Sequence, residues 1–584
     1  MACLKRTKII ATLGPASNSE SILEKMVREG MNVARLNFSH GTYESHERSL
    51  KMVREVEERL GIPLAVMLDT KGPEIRTGRL REKSVFLKEG ELFILTPEDV
   101  EGDEKRVSIS FPDLYRDVKP GDHILIDDGK IDLEVLEVKG QDIYCKVVVG
   151  GELSENKGVN VPGVDISLPA LSDKDIQDIK WGVEKEVDWF AISFVRKASD
   201  LIEVRKVIEE AGGNTKIIAK IETRQAVQNF EEILNVSDGI MVARGDLGVE
   251  LPTEEVPLLQ KRFINSCKKV GKPVIVATQM LETMIYNPRP TRAEANDVAN
   301  AIFDGADAVM LSGETAKGKY PVESVKIMRR IIEKTEEEIL KNGGNPSVYI
   351  SLSIPDAVSH ASCTIARDLG ASAIITATQS GSTARMVAKY RPNCPIIATT
   401  PSRRTLRELV LTWGVYPLMV EDVRSTDKLL ELSVNKALES GYIKEGDVVV
   451  LTAGVPVGIP GTTNLIKVHV VAKILVKGIG IGKAKVIGKA VLAPRAEDAI
   501  CRAEENCILV VRETDKDYIP VMDRVSGIVA EEGGLSSHAA IVGLQYGIPV
   551  IVGAEGALNK IRDGMVISVD AERGVVYEGE VKLI

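Results

Sequence analysis

Residues 217–246 of the 584-residue chain have the sequence IIAKIETRQAVQNFEEILNVSDGIMVARGD. Two short apolar runs, Ile217 to Glu222 and Gly239 to Ala243, are typical of buried strands, and the segment between them has the period of a helix. Charged or polar residues stand at the end of each run. The stretch therefore predicts a strand, a helix and a second strand, with polar groups where each strand ends.

The same alternation of strand and helix recurs through the first half of the chain. Eight runs have this character, and they are Lys8 to Thr12, Asn32 to Asn37, Leu64 to Asp69, Trp189 to Phe194, Ile217 to Glu222, Gly239 to Ala243, Pro273 to Thr278, and Ala308 to Ser312. Eight parallel strands with intervening helices form a (β/α)8 barrel. We therefore predict an α/β fold whose first domain is such a barrel.

The gap after the third strand departs from this alternation. No helical pattern follows Asp69 until Ser172, where a serine before acidic residues is typical of a helix start. Residues 72–169 instead alternate apolar and polar residues in short runs broken by turn signals. We predict an inserted all-β cap domain over 72–169. The remaining residues 1–71 and 170–340 have a combined length close to the ~250 residues typical of one barrel.

The composition limits the class of protein. A formal net charge of -10 argues against nucleic acid as the main partner, although a local pocket can still bind small phosphates. Seven cysteines without a CxxC pair or metal-ligand spacing indicate reduced thiols. The sequence lacks the apolar stretch of a signal peptide and the roughly 20 apolar residues of a transmembrane helix. We expect a cytoplasmic protein without a membrane partner.

Polar residues at the strand ends predict where the chemistry occurs, since barrels of this kind carry their active sites there. Lys220 and Glu222 are two residues apart, so an extended strand directs both to one face. The next strand leads into Arg244-Gly245-Asp246, where glycine permits close backbone approach and Asp246 can bind a hard cation. Glu222 and Asp246 are a predicted magnesium site, and phosphate substrates are implied. The alternative is a structural Lys220–Glu222 ion pair inside the barrel.

The end of the second strand adds a cationic group to this site. Arg35, Asn37 and Ser39 are spaced by two residues, which directs all three to one side if the extended conformation continues. Asp69 and Thr278 end two other strands at the same rim. We expect these side chains to converge with Lys220 at the mouth of the barrel.

Five motifs at these positions resemble the pyruvate kinase family. They are NVARLNFSHG (32–41), LDTKGPEIR (68–76), IAKIET (218–223), MVARGDLG (241–248) and ATQMLE (277–282). The resemblance implies an enzyme that moves the phosphoryl group of phosphoenolpyruvate to ADP, giving pyruvate and ATP in the final step of glycolysis. It also implies Mg²⁺ (or Mn²⁺) and K⁺ as cofactors, and a homotetramer.

The resemblance implies roles for individual residues, motif by motif. The catalytic residues would be Lys220, which stabilises phosphoryl transfer and the enolate, Arg35, which clamps the phosphate, and Thr278. The substrate would contact Arg35, Gly245, Asp246 and Thr278, and Mg²⁺ would be bound by Glu222 and Asp246. K⁺ would be bound by Asn37, Ser39, Asp69 and Thr70, and the nucleotide by Asn37, His40, Arg76 and Lys157. Glu74 matches the potassium-dependent form of the family.

These assignments agree with the chemistry of phosphoryl transfer, which needs positioning and cationic charge more than covalent help. A Thr278 hydroxyl has too high a pKa to be a strong acid, so a nearby water relay is the expected proton donor to the enolate. Lys157 lies on the inserted cap, where a nucleotide bridging cap and barrel would favour closure. Outside their motifs, Lys157 would be an ordinary surface lysine and His40 a capping or packing histidine.

A second α/β domain is expected over residues 350–474. Ile374 to Thr378 form a predicted buried strand that leads into a helix start rich in hydroxyls. Such a start offers free N–H groups to a phosphate, with Thr378, Ser380, Ser382 and Thr383 as candidate contacts. Helix capping by these serines is the alternative. In pyruvate kinases the corresponding domain binds allosteric sugar phosphates or nucleotides, which implies activation by a phosphorylated metabolite.

Residues 478–584 are a predicted fourth domain that a usual pyruvate kinase lacks. EGGLSSHAAIVG (532–543) and GIPV (547–550) resemble the phosphohistidine swivelling domain of phosphoenolpyruvate-utilising enzymes. His538 stands at the position that is phosphorylated in active relatives, whereas Ser536 replaces a more usual threonine and no ATP-grasp partner is recognised. We interpret the tail as a structural or regulatory appendage.

Two other functions stay open at this point. The tail alone suggests a phosphoenolpyruvate synthase or dikinase, which would transfer phosphate through His538. A regulatory protein that binds phosphoenolpyruvate and metal without catalysis is the second alternative. The joint presence of Lys220, Glu222 and Asp246 favours the kinase over both.

Overall fold

A computed structural model describes residues 5–127, 129–343, 353–456, 461–482 and 484–581. Cys3 and the predicted domain limits at residues 1, 350 and 584 lie outside the described residues. Two compact units divide the described chain. The first comprises residues 5–343, 384–391 and 402–419, and the second comprises residues 353–383, 392–401 and 420–581.

The predicted barrel is confirmed in the first unit, and its first three strands precede the cap. They are β1 (Lys8–Thr12), β2 (Val33–Asn37) and β3 (Ala65–Asp69). The helices between them are α1 (Glu20–Arg28) and α2 (Tyr43–Leu60). Thr42 caps α2 by accepting a hydrogen bond from Ser45 N, and Gly61 ends it in the left-handed conformation that glycine adopts without steric cost.

The inserted segment folds as β-structure, as the alternating pattern predicts. Its strands are β4 (Ile75–Arg76), β5 (Ser84–Leu87), β6 (Leu92–Thr96), β7 (Arg106–Ser108), β8 (His123–Ile126), β9 (Ile131–Lys139), β10 (Asp142–Val149), β11 (Gly151–Ser154) and β12 (Gly158–Asn160). Helix α3 (Leu114–Asp117) is the one α-helix among the described cap residues. Seven strands form one sheet in the order β4-β12-β8-β9-β10-β6-β7, and their apolar faces enclose a core that includes Phe93, Leu133 and Cys145.

Five further strands complete the barrel. They are β13 (Trp189–Ile192), β14 (Lys216–Ile221), β15 (Gly239–Ala243), β16 (Val274–Ala277) and β17 (Ala308–Leu311). The strands close in the order β1-β17-β16-β15-β14-β13-β3-β2, and all eight are parallel. Small and apolar side chains such as Ile10, Ala65, Ile218 and Met241 fill the barrel interior, so the barrel is packed and its chemistry is confined to the rim.

The helices of this part surround the barrel. They are α4 (Asp173–Glu184), α5 (Ala198–Glu210), α6 (Arg224–Gln228), α7 (Phe230–Val236), α8 (Arg244–Glu250), α9 (Val256–Val270), α10 (Arg292–Asp304), α11 (Gly313–Ala316) and α12 (Pro321–Lys341). Ser172 caps α4 through Asp175 N, as predicted. Their apolar faces pack on the outward residues of the strands and form the largest core of the molecule.

The second unit contains a parallel sheet with one antiparallel edge. Its strands β18 (Ala373–Ala377), β19 (Ile396–Thr400), β21 (Val448–Gly454) and β22 (Thr463–Val470) lie in the order β19-β18-β21-β22. Strand β20 (Val415–Met419) and helix α15 (Arg403–Leu409) belong to the first unit. The other helices here are α13 (Ile354–Asp368) and α16 (Thr426–Glu439), whereas α14 (Ser382–Lys389) has its residues 384–389 in the first unit.

The C-terminal residues form a separate mixed sheet in the second unit. Its strands are β23 (Ile474–Lys477), β24 (Ile479–Ile481), β25 (Lys485–Leu492), β26 (Cys507–Val511), β27 (Val525–Ala530), β28 (Val550–Val552), β29 (Val566–Asp570) and β30 (Val575–Glu578). Helices α17 (Ala496–Arg502), α18 (His538–Tyr546) and α19 (Ala557–Lys560) accompany it. Apolar clusters cover the sheet, so this segment has a core of its own.

Candidate active site

Lys220, near the end of β14, lies at the centre of the barrel mouth and is almost fully buried. Its Nζ is 3.1 Å from Asp69 Oδ1, 2.9 Å from Glu222 Oε1 and 2.7 Å from Ser193 Oγ. Burial alone lowers the pKa of a lysine, but the carboxylates of Asp69 and Glu222 outweigh burial and raise it. Lys220 is therefore a fixed positive charge and not a proton donor near neutral pH.

Arg35 supplies the second cation of the site. Its Nε donates to Asp69 Oδ2 at 2.6 Å, and its Nη1 donates to Thr12 Oγ1 at 3.0 Å. Burial raises the pKa of a carboxyl group, yet Arg35 and Lys220 together hold the pKa of Asp69 below its usual range. Asp69 thus fixes two cations side by side at the barrel mouth.

Glu222 and Asp246 stand at the ends of adjacent strands, as predicted. Glu222 Oε2 accepts a hydrogen bond from Phe194 N at 2.7 Å. Burial, together with the negative charge of Asp246, raises the pKa of Glu222, although Lys220 opposes the shift. Two neighbouring carboxylates whose negative charges repel each other favour a bound cation, so these residues fit a divalent metal. Among the described residues, no group of three His, Cys, Asp or Glu side chains is placed to hold one.

Thr278 follows β16 and adopts a left-handed backbone conformation with φ +66°. This conformation is costly for a β-branched residue and ends the strand at Ala277, where the sequence pattern extended it to Thr278. The Thr278 hydroxyl accepts from Gly245 N at 2.8 Å and donates to Ala277 O at 2.6 Å. Arg244 holds the same residue from behind by donating to Thr278 O at 2.7 Å.

The segment around Gly245 and Asp246 is a helix, because residues Arg244–Glu250 form α8 directly after β15. Asp246 therefore projects from the first turn of a helix. A Cβ atom at Gly245 would lie 3.4 Å from Thr278 Oγ1, which is an ordinary contact distance, so space alone does not require glycine there. Gly245 and Thr278, two of the four substrate contacts expected from the sequence, are thus neighbours in the structure.

The residues assigned to potassium lie along the edge between β2 and β3, where Asn37 and Asp69 are register partners. The extended conformation ends at Asn37, because the Asn37 side chain accepts a hydrogen bond from Ser39 N at 3.1 Å. The condition for the predicted orientation of Ser39, a continued extended conformation, is therefore not met, and the role of Ser39 stays a prediction. Thr70 is buried, and its hydroxyl accepts from Ser193 N at 3.2 Å.

The residues assigned to the nucleotide have separate positions on the barrel and the cap. His40 is exposed in the turn after β2. Arg76 lies on β4 of the cap, and Lys157 directly precedes the neighbouring strand β12, whose Gly158 pairs in register with Arg76. Each is held by a carboxylate: Arg76 Nε donates to Glu74 Oε2 at 2.7 Å, and Lys157 Nζ donates to Asp127 Oδ1 at 2.8 Å.

The second unit contains a pocket at the predicted effector site. Its lining includes all four predicted hydroxyl residues, Thr378, Ser380, Ser382 and Thr383. Thr378 Oγ1 accepts from Gly381 N at 3.0 Å. Glu421 and Asp422 also line the pocket, and the described lining contains no lysine or arginine. A phosphate here would depend on N–H and hydroxyl donors rather than on a cation.

His538 is the first residue of α18, and its Nδ1 is 3.0 Å from Thr514 Oγ1. Ser537, which precedes it, is the N-cap residue, and Ser536 is exposed. The motif is thus folded as a loop that ends at a helix start.

Sequence reasoning missed several polar side chains that complete the site. Ser193 binds Lys220 and also donates to Thr70 O at 2.7 Å, and Thr12 binds Arg35. Arg244 was also not predicted, although its neighbours Gly245 and Asp246 were. Its Nη1 donates to both carboxylate oxygens of Asp297, at 2.8 and 2.7 Å. The sequence signal for these residues is their place at strand ends. For Ser193 and Thr12 this signal is weak, because neutral hydroxyls at strand ends are common.

This geometry defines a class: a (β/α)8-barrel phosphotransferase whose mouth combines two fixed cations with two carboxylates at adjacent strand ends. Models of the pyruvate kinase barrel domain and the pyruvate kinase alpha/beta domain match residues 4–325 and 356–469. A model of the mobile domain of PEP-utilising enzymes matches residues 503–574. The chain therefore belongs to the pyruvate kinase family and carries an additional C-terminal domain.

Curated relatives are similar along the whole chain. A pyruvate kinase of Geobacillus stearothermophilus is 50% identical, covering 99% of this chain and 100% of the relative. A pyruvate kinase of Sporosarcina psychrophila is 48% identical over 100% of both chains. A pyruvate kinase of Staphylococcus aureus (strain MRSA252) is 45% identical over 99% of both. Relatives named pyruvate kinase thus match across the C-terminal domain as well as the barrel.

Proposed function

We propose that this enzyme transfers the phosphoryl group of phosphoenolpyruvate to ADP, producing pyruvate and ATP. The observation that carries the proposal is the position of Lys220 between Asp69, Glu222 and Ser193 at the barrel mouth. A cation held this rigidly stabilises negative charge that develops during transfer without any reorganisation of the protein. Membership of the pyruvate kinase family supports the same reaction.

Arg35 and Lys220 have complementary roles in this proposal. Arg35 presents a planar fork of donors to the phosphoryl oxygens, and Lys220 neutralises charge on the phosphoryl group and then on the enolate. Gly245 and Thr278 contact the substrate beside Asp246. Because the Thr278 hydroxyl already donates to Ala277 O, it supports a water relay as proton donor to the enolate rather than acting as the acid itself.

Two metal ions belong to the proposed site. Glu222 and Asp246 would hold Mg²⁺ or Mn²⁺, and Asn37, Ser39, Asp69 and Thr70 would hold K⁺. When bound, the divalent ion supplies positive charge to oxygens of the substrates that coordinate it. The protein's part is to bring the two carboxylates near each other, since they follow the adjacent strands β14 and β15.

The nucleotide would be bound by Asn37 and His40 on the barrel and by Arg76 and Lys157 on the cap. The two cap cations now face Glu74 and Asp127, so nucleotide phosphates would compete with these carboxylates for them. Binding from both sides would draw the cap toward the barrel mouth and exclude water from the reaction.

Regulation and assembly complete the proposal. The pocket around Thr378, Ser380, Ser382 and Thr383 would bind a sugar phosphate or nucleotide, with Glu421 and Asp422 accepting hydrogen bonds from sugar hydroxyls.

We propose an allosteric homotetramer with a cytoplasmic location. In the described part of the chain, no helix is both long enough and apolar enough to cross a bilayer. The domain limits given by the sequence also remain a proposal.

The decisive test measures pyruvate formed from phosphoenolpyruvate and ADP in the presence of Mg²⁺ and K⁺. We expect the Lys220→Met variant to lose about three or more powers of ten in kcat, because its charge acts in the transition state. Unchanged turnover in this variant would show that the barrel mouth is not the active centre.

The full-length His538→Ala variant separates the kinase from an enzyme that transfers phosphate through the tail. We expect pyruvate formation by His538→Ala to stay within about twofold of the unsubstituted enzyme, since no step of the proposed mechanism uses this residue. Loss of turnover on this substitution, together with a phosphorylated histidine in the unsubstituted protein, would favour a synthase or dikinase instead.

A further inference from the structure

The loop of residues 193–196, which follows β13, contacts both crossings of the chain between barrel and cap. The outgoing crossing passes at Gly72, whose φ is +74° and where a Cβ atom would lie 2.8 Å from the Phe194 ring. The return crossing is bound by Arg196. Its guanidinium donates to Ile166 O at 3.0 Å, and to Leu168 O and Pro169 O at 2.8 and 3.3 Å.

The same loop is in direct contact with the catalytic groups. Ser193 Oγ accepts from Lys220 Nζ, and Phe194 N donates to Glu222 Oε2. Phe194 has φ +55°, a conformation that a bulky residue adopts only when its surroundings impose it. The loop is therefore a rigid connection between the cap crossings and the Lys220–Glu222 pair.

Arg196 itself is firmly anchored to the barrel. Only 14% of its side chain is exposed, and its Nε lies 3.6 Å from Asp200. Arg196 N donates to Asp200 Oδ2 at 3.0 Å, and Arg196 O accepts from Asn229 Nδ2 at 3.0 Å. A planar guanidinium can hold several carbonyls in a fixed geometry, whereas a lysine ammonium on a flexible stem cannot.

We propose that Arg196 is a positioning residue that sets the cap over the barrel mouth. By fixing the return crossing at residues 166–169, it places Arg76 and Lys157 of the cap toward the acceptor nucleotide. In this proposal, the effect of Arg196 passes through the cap and not through contact with a substrate. This inference rests on the proposed function, in which the cap binds the nucleotide and the barrel binds phosphoenolpyruvate.

The test compares Arg196→Lys with Arg205→Lys in the full-length enzyme. Arg205 is a matched control, because its guanidinium, like that of Arg196, donates to backbone carbonyls. Its two carbonyl partners, Thr215 O and Val236 O, lie away from the barrel mouth. We expect Arg196→Lys to raise the KM for ADP about tenfold and the KM for phosphoenolpyruvate less than twofold. Arg205→Lys should change neither KM, although it can lower the thermal midpoint. Equal changes in both KM values for Arg196→Lys would contradict the positioning role.

Hydrogen–deuterium exchange tests the clamp without any substrate. Residues 161–170 should exchange about tenfold faster in Arg196→Lys than in the unsubstituted enzyme, because the crossing opens more often. Arg205→Lys should leave this segment unchanged. Equal exchange in all three proteins would overturn the inference.

An Arg76→Gln variant separates failure of this inference from failure of the proposed function. If Arg76→Gln raises the KM for ADP while Arg196→Lys changes neither KM nor exchange, the nucleotide site stands and the clamp is wrong. If Arg76→Gln leaves the KM for ADP unchanged, the proposed nucleotide site is wrong, and the exchange measurement alone decides whether Arg196 holds the cap.

Discussion

Among the described residues, Ser193 provides Lys220 with its one uncharged hydrogen-bond partner, because its Oγ accepts a hydrogen bond from Nζ at 2.7 Å while donating to Thr70 O. Removing the hydroxyl leaves Lys220 bound only to carboxylates, which pull its ammonium away from the substrate. We therefore expect Ser193→Ala to lower kcat about tenfold, with a smaller change in the KM for phosphoenolpyruvate. Steady-state kinetics of pyruvate formation measures both.

The control for Ser193→Ala is Ser237→Ala, which removes another buried hydroxyl of the barrel that donates to Leu234 O. The control variant should keep its kcat, and the two variants should have similar thermal midpoints. A loss of kcat in both would mean that Ser193 acts through general stability and not through Lys220.

At the residue scale, charge and spacing determined which site residues could be predicted from the sequence. Lys220 and Glu222 were predicted because two opposite charges at strand spacing near a strand end are rare without a function. Ser193 and Thr12 were not predicted, because a neutral hydroxyl at a strand end carries no such signal and their partners are distant in the chain. The orientation of Ser39 could not be predicted from strand spacing for a different reason, since the turn at Asn37 ends the strand alternation.

At the element scale, α4 packs on the barrel through a contact that requires glycine. A Cβ atom at Gly182 would lie 2.5 Å from the Phe190 ring and 3.0 Å from Leu68 Cδ1, and both side chains are fully buried. Alanine would gain about 1 kcal/mol of helix propensity. The overlap costs about 1–3 kcal/mol and cannot be relieved by a flexible side chain, so it prevails.

We therefore expect Gly182→Ala to lower the free energy of unfolding of the barrel by up to about 2 kcal/mol, which denaturant titration measures. Lys180→Ala on the exposed face of the same helix should change it by less than about 0.5 kcal/mol. A more stable Gly182→Ala protein would show that the helix moves outward at little cost.

The eight strands could be predicted because each is a short run rich in β-branched and apolar residues and is buried along all or nearly all of its length. Their ends were less predictable. Left-handed residues at Phe194 and Thr278 stop β13 and β16 earlier than the apolar pattern indicates. The helical form of Arg244–Glu250 was also missed, because its two glycines have low helix propensity and its contacts to Thr278 are formed only in the folded barrel.

At the scale of the whole molecule, the two compact units can be followed separately. All three tryptophans, Trp181, Trp189 and Trp413, lie in the first unit. Intrinsic tryptophan fluorescence therefore reports the unfolding of the unit that contains the barrel. This matters because a chain of several domains does not unfold in one two-state transition, and a single free energy for the whole chain would be undefined.

The pH dependence of that unfolding follows from Asp238, which precedes β15. Burial alone raises the pKa of a carboxyl group, but Lys216, Arg205 and the N–H of Ile217 outweigh burial and lower the pKa of Asp238. A lowered pKa means that Asp238 contributes its full stabilisation above the unfolded pKa of about 3.9 and loses it as the pH falls through the folded value. Asp238→Asn should therefore lower the free energy of unfolding by about 1–2 kcal/mol at pH 7. The difference should shrink steadily below about pH 4, when the native carboxyl group is protonated too. Tryptophan fluorescence in urea at several pH values measures it, and a difference that stays constant to pH 3 would mean that packing, not charge, makes Asp238 stabilising.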